Sequence, residues 1–386
     1  MSFAHTSRAL ATLWWTLAGV LALVAFQRLA DGFLQLVWVP TRPVDLAIRW
    51  REVQRWFAGQ PVYNDRFAVY PPASYPLLWP LLGWVDFTQA RWLWGATILA
   101  ALAWLAWIVA RESGVESGAG RTAAGLLPLA VYAARAVMVN GQLALHLVPP
   151  LLTGLLLLTR RPPSWGRDLG GAALLLIALT KPSLTAPFML MLLTARGRLR
   201  PMALLGLGYA GLTVLAAAFQ PASTTVLFRQ FVGGAVLDAA RASTQSHANL
   251  HSWIHVLGLG RGYTVASLTA LLALGWWMYY RARGADPWVR LGVAALVTRF
   301  WTFHYRYDDM LVLVPVVALM RIVNREPADR GAAVMLALLI ATLLIPARLF
   351  FPPSPWQVIE AVQTVIWVAA LAFLVHRVRR DQRSEA

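Results

Sequence analysis

Between Pro43 and Asp65 the chain reads PVDLAIRWREVQRWFAGQPVYND, which sets Asp45, Arg49, Arg51, Glu52 and Arg55 around two tryptophans in a sequence otherwise poor in charge. If Val44–Ala58 is helical, Leu46, Trp50, Val53 and Phe57 form an apolar stripe, while Asp45, Arg49 and Glu52 share the other side. Such a helix would lie in the headgroup plane, the depth that suits tryptophan. A carboxylate placed there could take the proton of a hydroxyl arriving at the bilayer surface. It could equally be an acid of the first helical turn, favoured by the helix dipole and paired with Arg49.

A second candidate is Lys181, the only lysine in the chain, in the stretch ALTKPSL. An ammonium at membrane depth costs on the order of 2.5–3.5 kcal/mol and calls for a partner. That partner is either a structural acid or headgroup, reached by snorkelling, or a bound phosphate. The segment TRFWTFHYRYDDM brings Arg299, His304 and Arg306 next to Asp308 and Asp309; an aromatic belt with solvated charges is the plain alternative. Adjacent acids point to different sides of a helix, so Asp308 and Asp309 do not form a dyad. His247, His251 and His255 recur every four residues, one helix face if the stretch is helical, but no carboxylate stands at ligand spacing and the outer two are about 12 Å apart at helical rise. Asn140, Gly141 and Gln142 open an apolar run, where Asn140 could serve simply as a helix cap.

The elements that must position these groups are membrane helices. Of the 386 residues 59% are hydrophobic and 13% charged, with mean hydropathy +0.57, whereas soluble domains carry roughly 25% charged residues. The absence of cysteine excludes disulfides, thiol nucleophiles and cysteine-ligated metal. The net charge of +17 sits in short arginine clusters between apolar runs, which suits lipid headgroups and topology and argues against nucleic acid.

Apolar runs long enough to cross a bilayer occupy Ala9–Ala30 (a retained signal anchor), Ala90–Ala110, Thr122–Val139, Leu143–Thr159, Met202–Phe219, Tyr263–Tyr280, Ala332–Ile345 and Trp356–Val375. Shorter or interrupted runs lie at Leu169–Thr194, Val289–Phe303 and Leu311–Val323. Lys181-Pro182 splits the first of these into two shallow helices, giving about twelve membrane helices in all. Arginine clusters at 160/161/167, 196/198/200, 281/283/290, 321/325/330 and 377/379/380/383 face the cytoplasm by the positive-inside rule. The expected fold is therefore all-α and polytopic, one domain over residues 1–386. Its first extracytoplasmic loop, residues 31–88, carries interfacial helices and the proline-rich YPPASYPLLWPLLGW.

In order along the chain, a Val-Asp-x(n)-Tyr stretch, VYPPASYPLLWPL, VNGQLALHLVPPLLTGLLLL, ALTKPSL and NLHSWIHVLGLG resemble the bacterial polyprenol-phosphate-mannose-dependent mannosyltransferases of glycosyltransferase family 87, in the GT-C superfamily. The resemblance implies a GT-C-like fold in the bacterial inner membrane with its active site on the extracytoplasmic face. It implies inverting transfer of a sugar, mannose before glucose or arabinose, from a polyprenyl-phosphate donor to a hydroxyl of a glycolipid or glycan acceptor. Asp45 matches the family's catalytic aspartate, with Asp31 and Asp65 as alternates. His304 resembles the family's histidine near the donor phosphate, Asn249 and His251 its asparagine-containing loop motif and Gln142 its Gly-Gln motif; Lys181, Arg299, Arg306, Tyr63 and Tyr70 join them as substrate-binding candidates. No cofactor is expected, nor is a divalent metal. A transporter or flippase of lipid-linked sugars is the rival, although no second copy of the Asp45 loop or of the Lys181 break supports a paired-repeat transporter.

Overall fold

The computed structural model describes residues 2–65, 67–160, 162–195, 197, 199–242, 249–259, 262–344 and 356–384. Among them every regular element is a helix. It begins with α1 (Ser2–Trp38), α2 (Val44–Phe57), α3 (Ser74–Leu82), α4 (Phe87–Glu112), α5 (Gly118–Ala130), α6 (Tyr132–Asn140) and α7 (Ala144–Arg160). It continues through α8 (Trp165–Ala178), α9 (Pro182–Met189), α10 (Leu199–Ala217), α11 (Thr224–Ala242), α12 (Leu250–Val256) and α13 (Tyr263–Tyr280). The last elements are α14 (Pro287–Trp301), a 3-10 turn (Arg306–Val312), α15 (Leu313–Arg325), α16 (Arg330–Leu344) and α17 (Trp356–Ser384).

Five stretches among the described residues are long and apolar enough to cross a membrane: Ala11–Trp38, Phe87–Glu112, Gly118–Asn140, Leu199–Ala217 and Glu360–Arg380. Ala144–Arg160, Pro182–Thr194 and Arg330–Leu344 are shorter apolar helices. Helix α1 shows how such elements pack. Leu23 and Phe26 remain exposed, while Ala18, Leu21 and Ala25 bury against Ala123 and Ala130 of α5. Small residues let two backbones approach where burial from water supplies no drive.

The run expected as one span over Thr122–Val139 is divided at Val131, whose backbone is extended. Arg28 donates to the Ala130 carbonyl at this break and to the Leu344 carbonyl at 2.7 Å. A broken helix inside a membrane protein holds only when its released backbone groups find such partners. The second break falls at Lys181, where Pro182 opens α9 and cannot donate to the preceding turn. The α8–α9 hairpin turns back on itself: a Cβ on Gly197, beyond its exit, would lie 3.1 Å from Pro163 just before its start. Lys181 thus stands at the break between two helices whose outer ends lie close together.

Ion pairs gather the opposite end of the bundle. Glu112 accepts from Arg160 at 2.7 Å, Asp286 pairs with Arg321 at 3.1 Å and Arg325 at 2.7 Å, and Arg377 reaches Asp329 at 2.9 Å. These arginines belong to the clusters that the positive-inside rule assigns to the cytoplasm. Because α4 and α14 each run from one end to the other, the chain segments around Asp45 lie at the far end from this cluster.

Candidate active site

Helix α2 forms as its pattern requires, but its polar side does not face outward. Leu46, Ile48, Val53 and Trp56 are buried, and so are Arg49 and Glu52, at 5% and 3% exposure. Other segments cover that side and leave a cavity of 680 Å³ between them, within the usual range of small-molecule sites.

The cover is built by specific contacts. Trp56 stacks on Tyr75 at 4.0 Å between centroids and donates to the Ala216 carbonyl at 2.9 Å. Ser74, at the start of α3, donates to the Thr180 carbonyl at 2.7 Å. One hydrogen bond therefore ties the proline-rich segment to the break beside Lys181.

Four of the ten residues singled out in the sequence line this cavity: Asp45, Tyr70, Gln142 and Lys181. Asp45 accepts a hydrogen bond from the Gln142 amide. Arg49, the expected partner of Asp45, turns elsewhere. Its guanidinium lies 2.6 Å from Glu52, donates to the Phe67 carbonyl at 2.7 Å and covers the Tyr70 ring at 4.3 Å. Lys181 Nζ meets Asp308 at 3.1 Å and faces the Tyr307 ring at 5.3 Å.

The other six stand behind the wall or away from it. His304 is buried with Nδ1 3.0 Å from Asp308, so it contacts the acid that holds Lys181 and does not line the cavity. Arg299, 1% exposed, is bound to Asp309 at 2.6 Å, and Arg306 to Glu360 at 3.1 Å. The adjacent acids do point apart: Asp308 toward Lys181, Asp309 toward Arg299 and the Tyr132 hydroxyl. Tyr63 donates to the Tyr70 carbonyl at 2.8 Å. His251 lies 2.7 Å from the Ser267 hydroxyl. Asn249 caps α12 by accepting from the Ser252 amide at 3.0 Å.

That cap also corrects the histidine face. Helix α12 begins at Leu250, so among the described residues it carries His251 and His255 alone of the three histidines. His247 lies outside the described residues, and among the described ones no three His, Cys, Asp or Glu side chains group as metal ligands. Asn140 is no helix cap either. It is the last residue of α6 and donates to the Ala136 carbonyl.

Asp31 and Asp65, the alternates to Asp45, are differently placed. Asp31 is bound by Arg135 and Gln35 outside the cavity, and Asp65 is an exposed residue of its rim that accepts from the Phe67 amide at 3.1 Å.

Burial raises the Asp45 carboxyl above the ordinary aspartate range, and the Gln142 hydrogen bond, then Arg49 and Lys181, pull it back. Burial pushes Glu52 up to about 7 against the pull of Arg49. Both effects are desolvation outweighing a nearby favourable partner. Asp45 is thus a carboxylate with a neutral hydrogen-bond donor and raised basicity, at the wall of a cavity that also holds an ammonium.

Residues that spacing alone did not single out are Asp308, Tyr307, Arg49 and Glu52 as parts of this wall. The signal available for Asp308 was its position beside His304 together with the demand of Lys181 for a partner.

A helical membrane chain with a basic carboxylate and a cation in one cavity has the parts of a transferase site. The profile of glycosyltransferase family 87 matches residues 67–303, well over half of the chain, and the protein belongs to that family. It is a glycosyltransferase. The matched stretch contains Tyr70, Gln142, Lys181, Asn249, His251 and Arg299, whereas Asp45, Tyr63, His304 and Arg306 fall outside it. No curated protein and no solved structure matches the chain.

Proposed function

We propose that the protein transfers a sugar, mannose by the resemblance of its motifs, from a polyprenyl-phosphate carrier to a hydroxyl of a glycolipid or glycan. The reaction takes place at the extracytoplasmic face of the bacterial inner membrane. Asp45 takes the acceptor's proton as the acceptor oxygen bonds to the anomeric carbon. The bond from that carbon to the phosphate oxygen breaks, and its electron pair leaves with polyprenyl phosphate. Attack opposite the leaving group inverts the configuration.

A phosphate leaves readily once its charge is stabilised, so a cation serves it better than a proton donor. Lys181 fills that place, its ammonium held by Asp308, which His304 contacts in turn. The observation that carries the reading is the shared cavity: Asp45, Lys181, Gln142 and Tyr70 meet there although the chain separates them widely. Arg299, Arg306, Asn249, His251 and Tyr63 hold neighbouring elements in place outside the cavity lining. Counting α8 and α9 apart and including the shorter helices, the single domain has about twelve membrane helices. The chemistry needs no resident metal.

Purified protein given radiolabelled polyprenyl-phosphate-mannose and a membrane lipid extract should form labelled glycolipid. A flippase would move the donor across the bilayer without making product. Asp45→Asn should bind donor but lose about 10²–10⁴-fold in rate, the usual contribution of a general base. Full turnover by that variant would remove Asp45 from the mechanism.

A further inference from the structure

We infer that Gln142 is the positioning residue of Asp45. The turn ending α6 aims its amide at the carboxylate, and this contact selects the oxygen that meets the acceptor hydroxyl. The inference rests on the reading of Asp45 as the base, and it moves Gln142 from the substrate contacts to the support of the base.

Three observations carry it. The first is the turn itself. Gly141 closes α6 in the left-handed region at φ +67, its amide bonded to the Met138 carbonyl at 3.1 Å and the Gln142 amide to Val137 at 2.9 Å. This double closure fixes the direction in which residue 142 leaves the helix.

The second is where the turn presses. A Cβ on Gly141 would lie 2.4 Å from the Leu46 Cβ and 3.2 Å from the Leu46 backbone nitrogen, one residue beyond Asp45. Backbone contact between the end of α6 and the first turn of α2 therefore brings amide and carboxylate together. The meeting does not depend on a long side chain finding its partner.

The third is the choice of partner. Gln142 is 5% exposed and donates to Asp45 Oδ2, so in the proposed reaction Oδ1 is the oxygen that meets the acceptor hydroxyl. Arg49, which the helical spacing offers to Asp45, is held by Glu52 and the Phe67 carbonyl. A guanidinium in direct contact would depress the basicity of the carboxylate strongly; a neutral amide orients it and depresses it less. Among the influences that oppose burial at Asp45, the Gln142 hydrogen bond is the largest. Gln142 thus controls both the aim of the base and the pH at which it becomes available.

The test is the pH dependence of kcat/KM, from about pH 5 to pH 9, for the full-length protein in detergent, with polyprenyl-phosphate-mannose as donor and membrane lipid extract as acceptor. Gln142→Leu removes the donor group; Gln142→Glu keeps its shape and sets two carboxylates to share a proton. Both variants should move the acidic limb to higher pH with donor KM and thermal unfolding unchanged. Gln142→Leu should lose about tenfold on the acidic limb and regain most of it on the alkaline side. An unmoved limb with a raised acceptor KM would make Gln142 a substrate contact and overturn the inference. Loss of turnover at every pH in both variants together with a lowered unfolding temperature would overturn it as well, because Gln142 would then hold the fold and not the base. Asp45→Asn, run alongside, separates the two claims. If it turns over, the assignment of the base fails; if it is inactive while the limb in the Gln142 variants stays put, only this inference fails.

Discussion

Lys181 Nζ lies 3.1 Å from Asp308, which in turn lies 3.0 Å from His304 Nδ1. The chain's one ammonium and a nearly inaccessible carboxylate, 127 residues apart in sequence, neutralise each other at the cavity wall. Breaking such a pair on one side strands a charge in a poor solvent, at about 3–5 kcal/mol. Lys181→Met should therefore lower the unfolding temperature in detergent more than Lys181→Met/Asp308→Asn does. The double variant should still lack transfer activity, because the leaving phosphate has lost its cation. Equal destabilisation of the two variants would contradict the pairing.

Glu52 gives the fold a pH dependence of calculable sign. Its carboxyl titrates at about 7 when folded and at about 4.5 in its ordinary state. The folded chain holds the proton more tightly, so the stabilisation is present in acid and is lost as pH rises from about 4.5 through 7. The amount is on the order of 3 kcal/mol by linkage. Thermal unfolding in detergent should show stability falling between pH 5 and pH 7.5 in the parent protein, and Glu52→Gln should flatten that slope.

Gly141→Ala meets two obstacles together, a positive φ and overlap with Leu46. Strained backbone and overpacking combine to roughly 2 kcal/mol. The first turn of α2 must shift to admit the methyl group, so turnover should fall with stability. Gly118→Ala, where the added carbon meets nothing within 4 Å, is the matched control and should leave both unchanged. Equal effects of the two substitutions would show that the contact between α6 and α2 is loose.

Arg299 separates a structural from a substrate role. Its guanidinium and the Asp309 carboxylate are each 1% exposed, 2.6 Å apart, and Tyr132 also donates to Asp309. Arg299→Gln should destabilise the fold by about 3–5 kcal/mol while the protein that remains folded keeps the parent donor KM. A raised donor KM at full stability would return Arg299 to the substrate site.

Much of the scaffold is readable in composition and spacing. Apolar runs require helices wherever water is excluded, because every backbone group must then be satisfied within its own segment. The proline after Lys181 forces a break, and the period of Asp45, Arg49 and Glu52 places them on one side of α2. These are local rules, acting over a few residues.

What local rules do not reach is the choice of partner. Spacing offers Arg49 to Asp45, yet Arg49 goes to Glu52 and Asp45 to Gln142, because α6 ends against Leu46. Spacing also makes Arg299, His304 and Arg306 look available, yet Asp309, Asp308 and Glu360 engage them. The sequence by itself determined an all-helical membrane protein with an acid-bearing helix after its first span and one costly ammonium. Only the tertiary structure decided which charges cancel and which line the cavity, since ion pairing falls off over a few ångströms and those distances are set by helices far apart along the chain.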